Sequence, residues 1–245
     1  MTHQEAIANY KRYSGNRTIN ITTALIDMDG VLYDSMKNHT RAWVKLAKKN
    51  GVKCTRDEFY LYEGMRGTDI IKMLFKRGLG RNVTEDEARA LYLVKGRYFT
   101  ELGEVEKIEG AQDMLTALRD SQVERVLVTG SAQQSILDRL DEDYAGLLSP
   151  TRVTAYDTRF GKPNPEPYLK AMEKTGAKPS QCLVIENAPL GVQAGHAAGC
   201  FTIAVTTGPI PAKELYKAGA DLVYGSMSEF AADVPALIQD LNNNE

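Results

Sequence analysis

From Ile108 onward, short runs rich in β-branched and apolar residues alternate with segments of helical spacing, and this alternation restricts the fold more than anything else in the chain. The runs fall at 125–129, 152–155, 182–185, 201–205 and 222–224. Helical segments lie at 111–120, 133–140, 165–175, 191–198, 211–218 and 228–241. Strands alternating with helices of this length predict βαβ units and a parallel sheet. Right-handed crossovers then bring the carboxyl end of every strand to one edge. One more run, Thr22 to Ile26, stands upstream and is apolar enough for a strand buried on both faces. Between it and Ile108 no convincing strand appears. Segments near 36–50, 58–62, 69–75 and 85–102 read as helices, broken at Gly51, Gly64, Gly67, Gly78 and Gly80. A helical block is thus inserted directly after the first strand.

In open α/β sheets, ligands and chemistry collect at the carboxyl edge. The first strand ends there in Asp27-Met28-Asp29-Gly30, and alternation along an extended chain points both aspartates the same way. Alone the pair is ordinary, and aspartates at strand ends also serve as turn or helix caps. Thr129-Gly130-Ser131 offers hydroxyl and amide donors to an anion, or a simple N-cap. In Phe160-Gly161-Lys162-Pro163-Asn164-Pro165-Glu166-Pro167 the prolines stiffen a loop that holds Lys162 at a helix start. A cation is unfavourable there, which either a neighbouring anion or full solvation of the lysine would explain. Glu186-Asn187 supplies oxygen donors of the kind a hard cation such as Mg²⁺ takes, or another cap.

Taken together and in this order, Asp-x-Asp-Gly-Val, Thr-Gly-Ser, Gly-Lys-Pro and Glu-Asn resemble the four-motif pattern of the haloacid dehalogenase superfamily. The resemblance covers about residues 23 to 225, and the helical block matches the family's cap insertion. Asp27 to Leu32, His39-x-x-Ala42-Trp43, Gly161-Lys162-Pro163 and Glu186-Asn187-Ala188-Pro189-x-Gly191 are similar to its β-phosphoglucomutase-like branch. The fold implied is a Rossmann-like parallel-sheet core in three α/β/α layers, formed by 21–34 and 107–245. Residues 35–106 form the helical cap, and residues 1–20 an N-terminal extension that is either loose or a short helix packed on the surface.

The resemblance also implies roles. Asp27 is the nucleophile that forms an aspartyl phosphate, and Asp29 the general acid and then base. Thr129 with Gly130 and Ser131 orients the phosphoryl oxygens, while Lys162 neutralises charge. His39 stands near the acid/base, unless it is merely a surface histidine. Mg²⁺ is held by Asp27, the Asp29 backbone carbonyl, Glu186 and Asn187. A carboxylate about 4 Å from a phosphate dianion is repelled by roughly 8 kcal/mol at an effective dielectric near 20, so a bridging cation is needed. Asn187 departs from the branch, which more often has Asp there, and one fewer negative charge should weaken Mg²⁺ binding.

In the cap, 61–68 should reach over the site and bring Glu63 and Arg66 to the substrate. An acid at Glu63 suits a metal-bound or water-bound ligand better than a bare second phosphate. Glu63 with Asn187 is similar to a hydrolytic sub-branch acting on inorganic pyrophosphate, which becomes the leading substrate. The alternatives are a β-phosphoglucomutase or a sugar-phosphate phosphatase, and a silent binding protein is disfavoured by the presence of Asp27, Asp29, Thr129 and Lys162. A net charge of −2 without a basic run argues against nucleic acid, leaving a small phosphorylated molecule as the partner. With 3 cysteines, none in Cys-x-x-Cys spacing, free thiols in a reducing compartment are expected. Neither a membrane span nor a secretory signal is read, so a cytoplasmic protein is the expectation, and separately a monomer.

Overall fold

The structure, a computed structural model, describes residues 1–132 and 134–243. Gln133, where the sequence begins a helix, and Asn244 and Glu245, which end the expected core, lie outside the described residues. Helix α1 (His3–Ser14) precedes strand β1 (Thr23–Ile26). Four helices follow: α2 (Met36–Lys49), α3 (Glu58–Leu61), α4 (Gly67–Leu79) and α5 (Glu85–Thr100). The alternating part then runs α6 (Ala111–Asp120), β2 (Glu124–Val128), α7 (Gln134–Asp143), β3 (Arg152–Val153), α8 (Glu166–Thr175), β4 (Cys182–Glu186), α9 (Pro189–Ala197), β5 (Phe201–Val205), α10 (Ala212–Ala218), β6 (Leu222–Tyr224) and α11 (Met227–Asn242).

All strand pairs are parallel, in the order β3-β2-β1-β4-β5-β6. Ile26 of β1 pairs with Leu127 on one side and Ile185 on the other. Asp27, Thr129 and Glu186 therefore emerge side by side at the carboxyl edge, where strand order reverses and the sheet splays into a crevice. Along β1, Ala24 and Ile26 pack into the apolar layer beneath α6 and α11, and Leu25 into the opposite layer beneath α8 and α9. Burial on both faces is why these strands read as continuous apolar runs. The helices α2, α4 and α5 close over a core of their own around Trp43, Phe59, Leu74 and Phe75, which makes the cap.

β3 is shorter than its sequence suggests. The Thr154 amide and hydroxyl both donate to Asp157 Oδ2, at 2.8 and 3.0 Å, which pulls the chain into a turn before the ladder can continue. The start of the chain is a regular helix rather than a loose extension. Thr2 and Glu5 form a capping box, and Ala6, Ile7 and Tyr10 are buried. His3 lies 2.7 Å from both Asp233 and Asp240 of α11, and Tyr10 donates to the Gly199 carbonyl at 2.8 Å.

Tyr13 of the same helix donates to Asp221, which also accepts the Thr202 amide at 2.8 Å. Burial pushes the Asp221 carboxyl up to about 7, against the pull of those two donors. Between about pH 4 and 7 the folded carboxyl holds a proton that the unfolded chain releases, so its contribution to stability is lost as pH rises through that window. Asp221→Asn, neutral at every pH and still able to accept the Thr202 amide, is expected to raise the unfolding free energy on the order of 1–2 kcal/mol at pH 8. At pH 5 it should change little. Urea denaturation at the two pH values checks this, and an equal change at both would refute a charge-burial cost.

Candidate active site

The loop after β1 is wound tightly around the Met28 carbonyl, which accepts the amides of Val31, Leu32 and Tyr33. Gly30 sits at φ 81°, and a Cβ there would overlap the Asn187 amide and crowd the Glu63 carboxylate. Glycine is thus required both by the left-handed backbone and by close approach of two other loops. The winding leaves Asp27 at 3% exposure in the floor of a cavity, with its amide still donating to Ile185 across the sheet.

Lys162 reaches this floor from the proline-bounded loop and is 1% exposed. Its ammonium donates to Asp27 Oδ1 at 2.5 Å, Glu186 Oε1 at 2.6 Å and the Val128 carbonyl at 3.2 Å, which uses all its protons. Tyr168 also donates to Glu186 Oε1, at 2.6 Å, and the Asn187 amide to Oε2 at 3.1 Å. Gly191 has no room for a side chain against that carboxylate. Burial works against the charge on Lys162, but Asp27 and Glu186 outweigh it and its pKa is raised. Burial raises Asp27 too, opposed by Lys162 and reinforced by Glu186 and Asp29. Both shifts follow from one ammonium facing two buried carboxylates. The lysine keeps its proton, and the surplus negative charge gives Asp27 a high proton affinity.

Asp29 heads a second chain of contacts, into the cap. Its Oδ1 accepts from the Ser35 hydroxyl and lies 3.1 Å from His39 Nε2 on α2. His39 Nδ1 in turn contacts the Lys95 ammonium on α5. Lys95 is 1% exposed, among the rings of Trp43, Tyr92 and Phe99 at 5.1, 5.6 and 5.2 Å. Burial brings it down to about 7, against the attraction of Asp29. Burial and then Lys95 lower His39, so the imidazole is neutral. A lysine proton on Nδ1 leaves the Nε2 proton for Asp29. Burial alone would raise Asp29, but His39, followed by Ser35, holds it below the usual range. Lys95 is absent from the motifs, yet it had a signal. It follows Ala88 by seven positions and precedes Phe99 by four, which places a lysine on the apolar face of α5.

Thr129 is 2% exposed, and its hydroxyl accepts the Ser131 amide at 3.0 Å, so its own proton remains free to donate outward. Glu63 descends from the cap at 6% exposure and accepts from Asn187 Nδ2 at 2.8 Å. Burial, reinforced by Asp27, Asp29 and Glu186 and opposed by the Asn187 amide, raises its pKa well above the usual range. Asp27, Asp29, His39, Glu63, Thr129, Gly130 and Ser131 all line one cavity of about 50 Å³. Lys162, Glu186 and Asn187 adjoin it through the hydrogen bonds above. Arg66 does not face that cavity. Its guanidinium donates to the Arg159 carbonyl and lines a separate outer pocket.

Among the described residues no cluster of three or more His, Cys, Asp or Glu side chains is preformed for a metal. The donor set nonetheless fits a hard divalent cation. Asn187 Oδ1 is buried without a partner, and Asp27, Glu186 and Glu63 outnumber the single ammonium.

A family model for haloacid dehalogenase-like hydrolases matches residues 21–199. Hexitol phosphatase A of Escherichia coli K12 is 31% identical over 84% of this chain and 91% of its own length. β-Phosphoglucomutase of Bacillus subtilis is 26% identical over 86% of this chain and 92% of its own. A solved structure from Bacteroides vulgatus, provisionally described as a β-phosphoglucomutase, is 43% identical and covers 98% of both chains with a TM-score of 0.93.

Proposed function

The chain belongs to the haloacid dehalogenase-like hydrolases, and from that premise we propose a Mg²⁺-dependent phosphohydrolase that works through an aspartyl phosphate on Asp27. The observation that carries the reading is the pairing of Asp27 with Lys162 at the end of the central strand, beside an Asp29 tied to His39. Asp27 attacks phosphorus in line and the leaving oxygen departs with a proton from Asp29. Asp29 is ionised in the resting site. An arriving phosphate dianion raises its proton affinity so that it takes up a proton from solvent or substrate before transfer, and the carboxylate left after donation takes the proton of the attacking water. His39, backed by Lys95, keeps Asp29 aimed through both halves. The Thr129 hydroxyl, freed to donate by the Ser131 amide it accepts, and the Gly130 amide bind the phosphoryl oxygens, and Lys162 balances charge on the nucleophile. Asp27, the Asp29 carbonyl and Asn187 Oδ1, with Glu186 behind them, would hold Mg²⁺, whose charge offsets the repulsion between carboxylate and phosphate. A cytoplasmic setting is supported by the free thiols Cys54, Cys182 and Cys200.

Inorganic pyrophosphate is the leading substrate of this reading. Its support is the buried Glu63 held on Asn187, together with a small cavity of about 50 Å³ that leaves little room beyond a phosphoryl group. A sugar- or polyol-phosphate phosphatase is the second reading, supported by hexitol phosphatase A. A mutase is supported by the β-phosphoglucomutase relatives. Neither relative is named for pyrophosphate. Phosphate release with Mg²⁺ from pyrophosphate, a hexitol phosphate and β-glucose 1-phosphate separates the three. Glu63→Ala is expected to cut pyrophosphate turnover about 100-fold while changing an aryl phosphate less than about threefold. Equal losses on both would remove Glu63 from substrate choice. Glucose 6-phosphate appearing faster than free phosphate would replace the hydrolase by a mutase.

A further inference from the structure

A larger pocket lies on the outer side of the catalytic cavity, between the cap and the loop that follows β3. It encloses about 830 Å³, a volume typical of small-molecule sites. Tyr92 and Gly67 form the wall between the two cavities, packed so closely that a side chain at position 67 would overlap the Tyr92 ring.

The chemistry of the outer pocket points to an anion. It contains the start of α4, where no side chain caps the helix; the Asp69 amide turns back to the Arg66 carbonyl, which leaves those of Gly67 and Thr68 for a ligand. Thr68, in that turn, is 8% exposed, and its hydroxyl is buried without a partner among the described residues. Glu85 takes the Lys72 ammonium and lies 3.7 Å from Arg66 and 3.6 Å from Arg89, so three cations share one carboxylate. Arg66, Lys72, Arg89 and Arg159 line the pocket against Asp69 and Glu85, and four positive charges less two negative leave two in excess. On the core side, Tyr156 and Phe160 are 74% and 51% exposed on its rim. Exposed aromatics beside unbalanced arginines are features of recognition sites rather than of inert surface.

We propose that this pocket is a second ligand site, separate from Asp27, which binds the dianionic head of an organic phosphate at the start of α4 and its apolar or aromatic body against Tyr156 and Phe160. The head meets the Thr68 hydroxyl, the amides of Gly67 and Thr68 and the Arg66 guanidinium; the excess of two charges favours a phosphate over a carboxylate. Arg66 already joins cap to core through the Arg159 carbonyl. A ligand lying between Thr68 and Phe160 touches both parts at once and therefore favours the closed arrangement. The inference goes beyond the catalytic reading and does not depend on it.

Phenylphosphonate is the probe, since its carbon–phosphorus bond cannot be hydrolysed by aspartyl transfer. Titration calorimetry on the wild type is expected to show two binding events, one per cavity. Thr68→Val, close in shape, and Arg89→Ala, at a side chain 65% exposed, are each expected to weaken one event by about tenfold or more. Aryl phosphate hydrolysis should stay within about twofold in both variants. Asp27→Asn should retain the event that these two variants lose. Inorganic phosphate, lacking the body, should bind the outer pocket more weakly than phenylphosphonate. A single event in the wild type, or two unaltered events in both variants, refutes the second site. Loss of the same event in Asp27→Asn would make the pocket part of the catalytic site. Failure of the catalytic reading would show instead as absent turnover with the outer event intact.

Discussion

Asp27→Asn is expected to lower phosphate release by about 10⁴-fold or more while leaving the protein folded and at least as stable as before. The activity falls because the amide cannot attack phosphorus. Stability holds because of the charge count in the floor of the site. Lys162 faces two carboxylates, and removing one leaves a balanced pair with Glu186 at 2.6 Å. The pH dependence has a definite sign. Burial raises the folded Asp27 above its unfolded value, so the folded state binds more protons, and stability is lost as pH rises through the folded pKa. Asparagine removes that loss, and the gain over the wild type should be larger at pH 8 than at pH 6 in urea denaturation. Acid quenching during turnover should trap a phosphorylated wild type and no phosphorylated variant. Activity within tenfold of the wild type would end the proposed mechanism.

The core of the fold was open to reading because β1, β4 and β5 are buried along their whole length and most of the helices carry one apolar face, so period and length carried the assignment. At β3 this fails for a local reason. The Thr154–Asp157 turn competes with the ladder, and a Thr-x-x-Asp contact across three residues does not disturb an apolar pattern. At α1, Tyr10 and Tyr13 are dispersed among polar residues, and nothing nearby in sequence reveals that their partners lie at Gly199 and Asp221.

In the site, the residues gathered by the strand ends were legible because the sheet itself brings them together. Those supplied by the cap were legible only in part: the resemblance named His39 and Glu63, which line the cavity, but it did not name Lys95, and it named Arg66, which lies outside. Lys95 and His39 meet only because α2 and α5 pack face to face, a contact between positions 56 apart in the chain. Arg66 and Glu63 lie three positions apart on the same cap loop, yet one turns outward to Arg159 and the other inward to Asn187. A loop without periodicity gives no means of telling which side chain faces which way.

Lys162→Met is expected to lose both activity and stability, and the two losses can be separated. Without the ammonium, two carboxylates remain buried against each other, at 3% and 1% exposure, with no counter-charge. Breaking such a pair from one side costs about 3–5 kcal/mol. The folded Asp27, already raised by burial, then rises further above its unfolded value, so the folded state takes up more protons. The destabilisation should accordingly be largest near pH 8 and partly relieved at pH 5. Arginine should not rescue it, because the tetrahedral ammonium has one proton for each of Asp27, Glu186 and the Val128 carbonyl, and a planar guanidinium cannot match that set. Adding Asp27→Asn and Glu186→Gln to Lys162→Met removes the stranded charges and should restore most of the unfolding free energy. Turnover should stay down by about 10³-fold or more in Lys162→Met even at the pH where it is most stable. A variant that recovers its stability at pH 5 and its activity with it would leave Lys162 a purely structural counter-ion. Recovery of stability alone makes it part of the chemistry at Asp27.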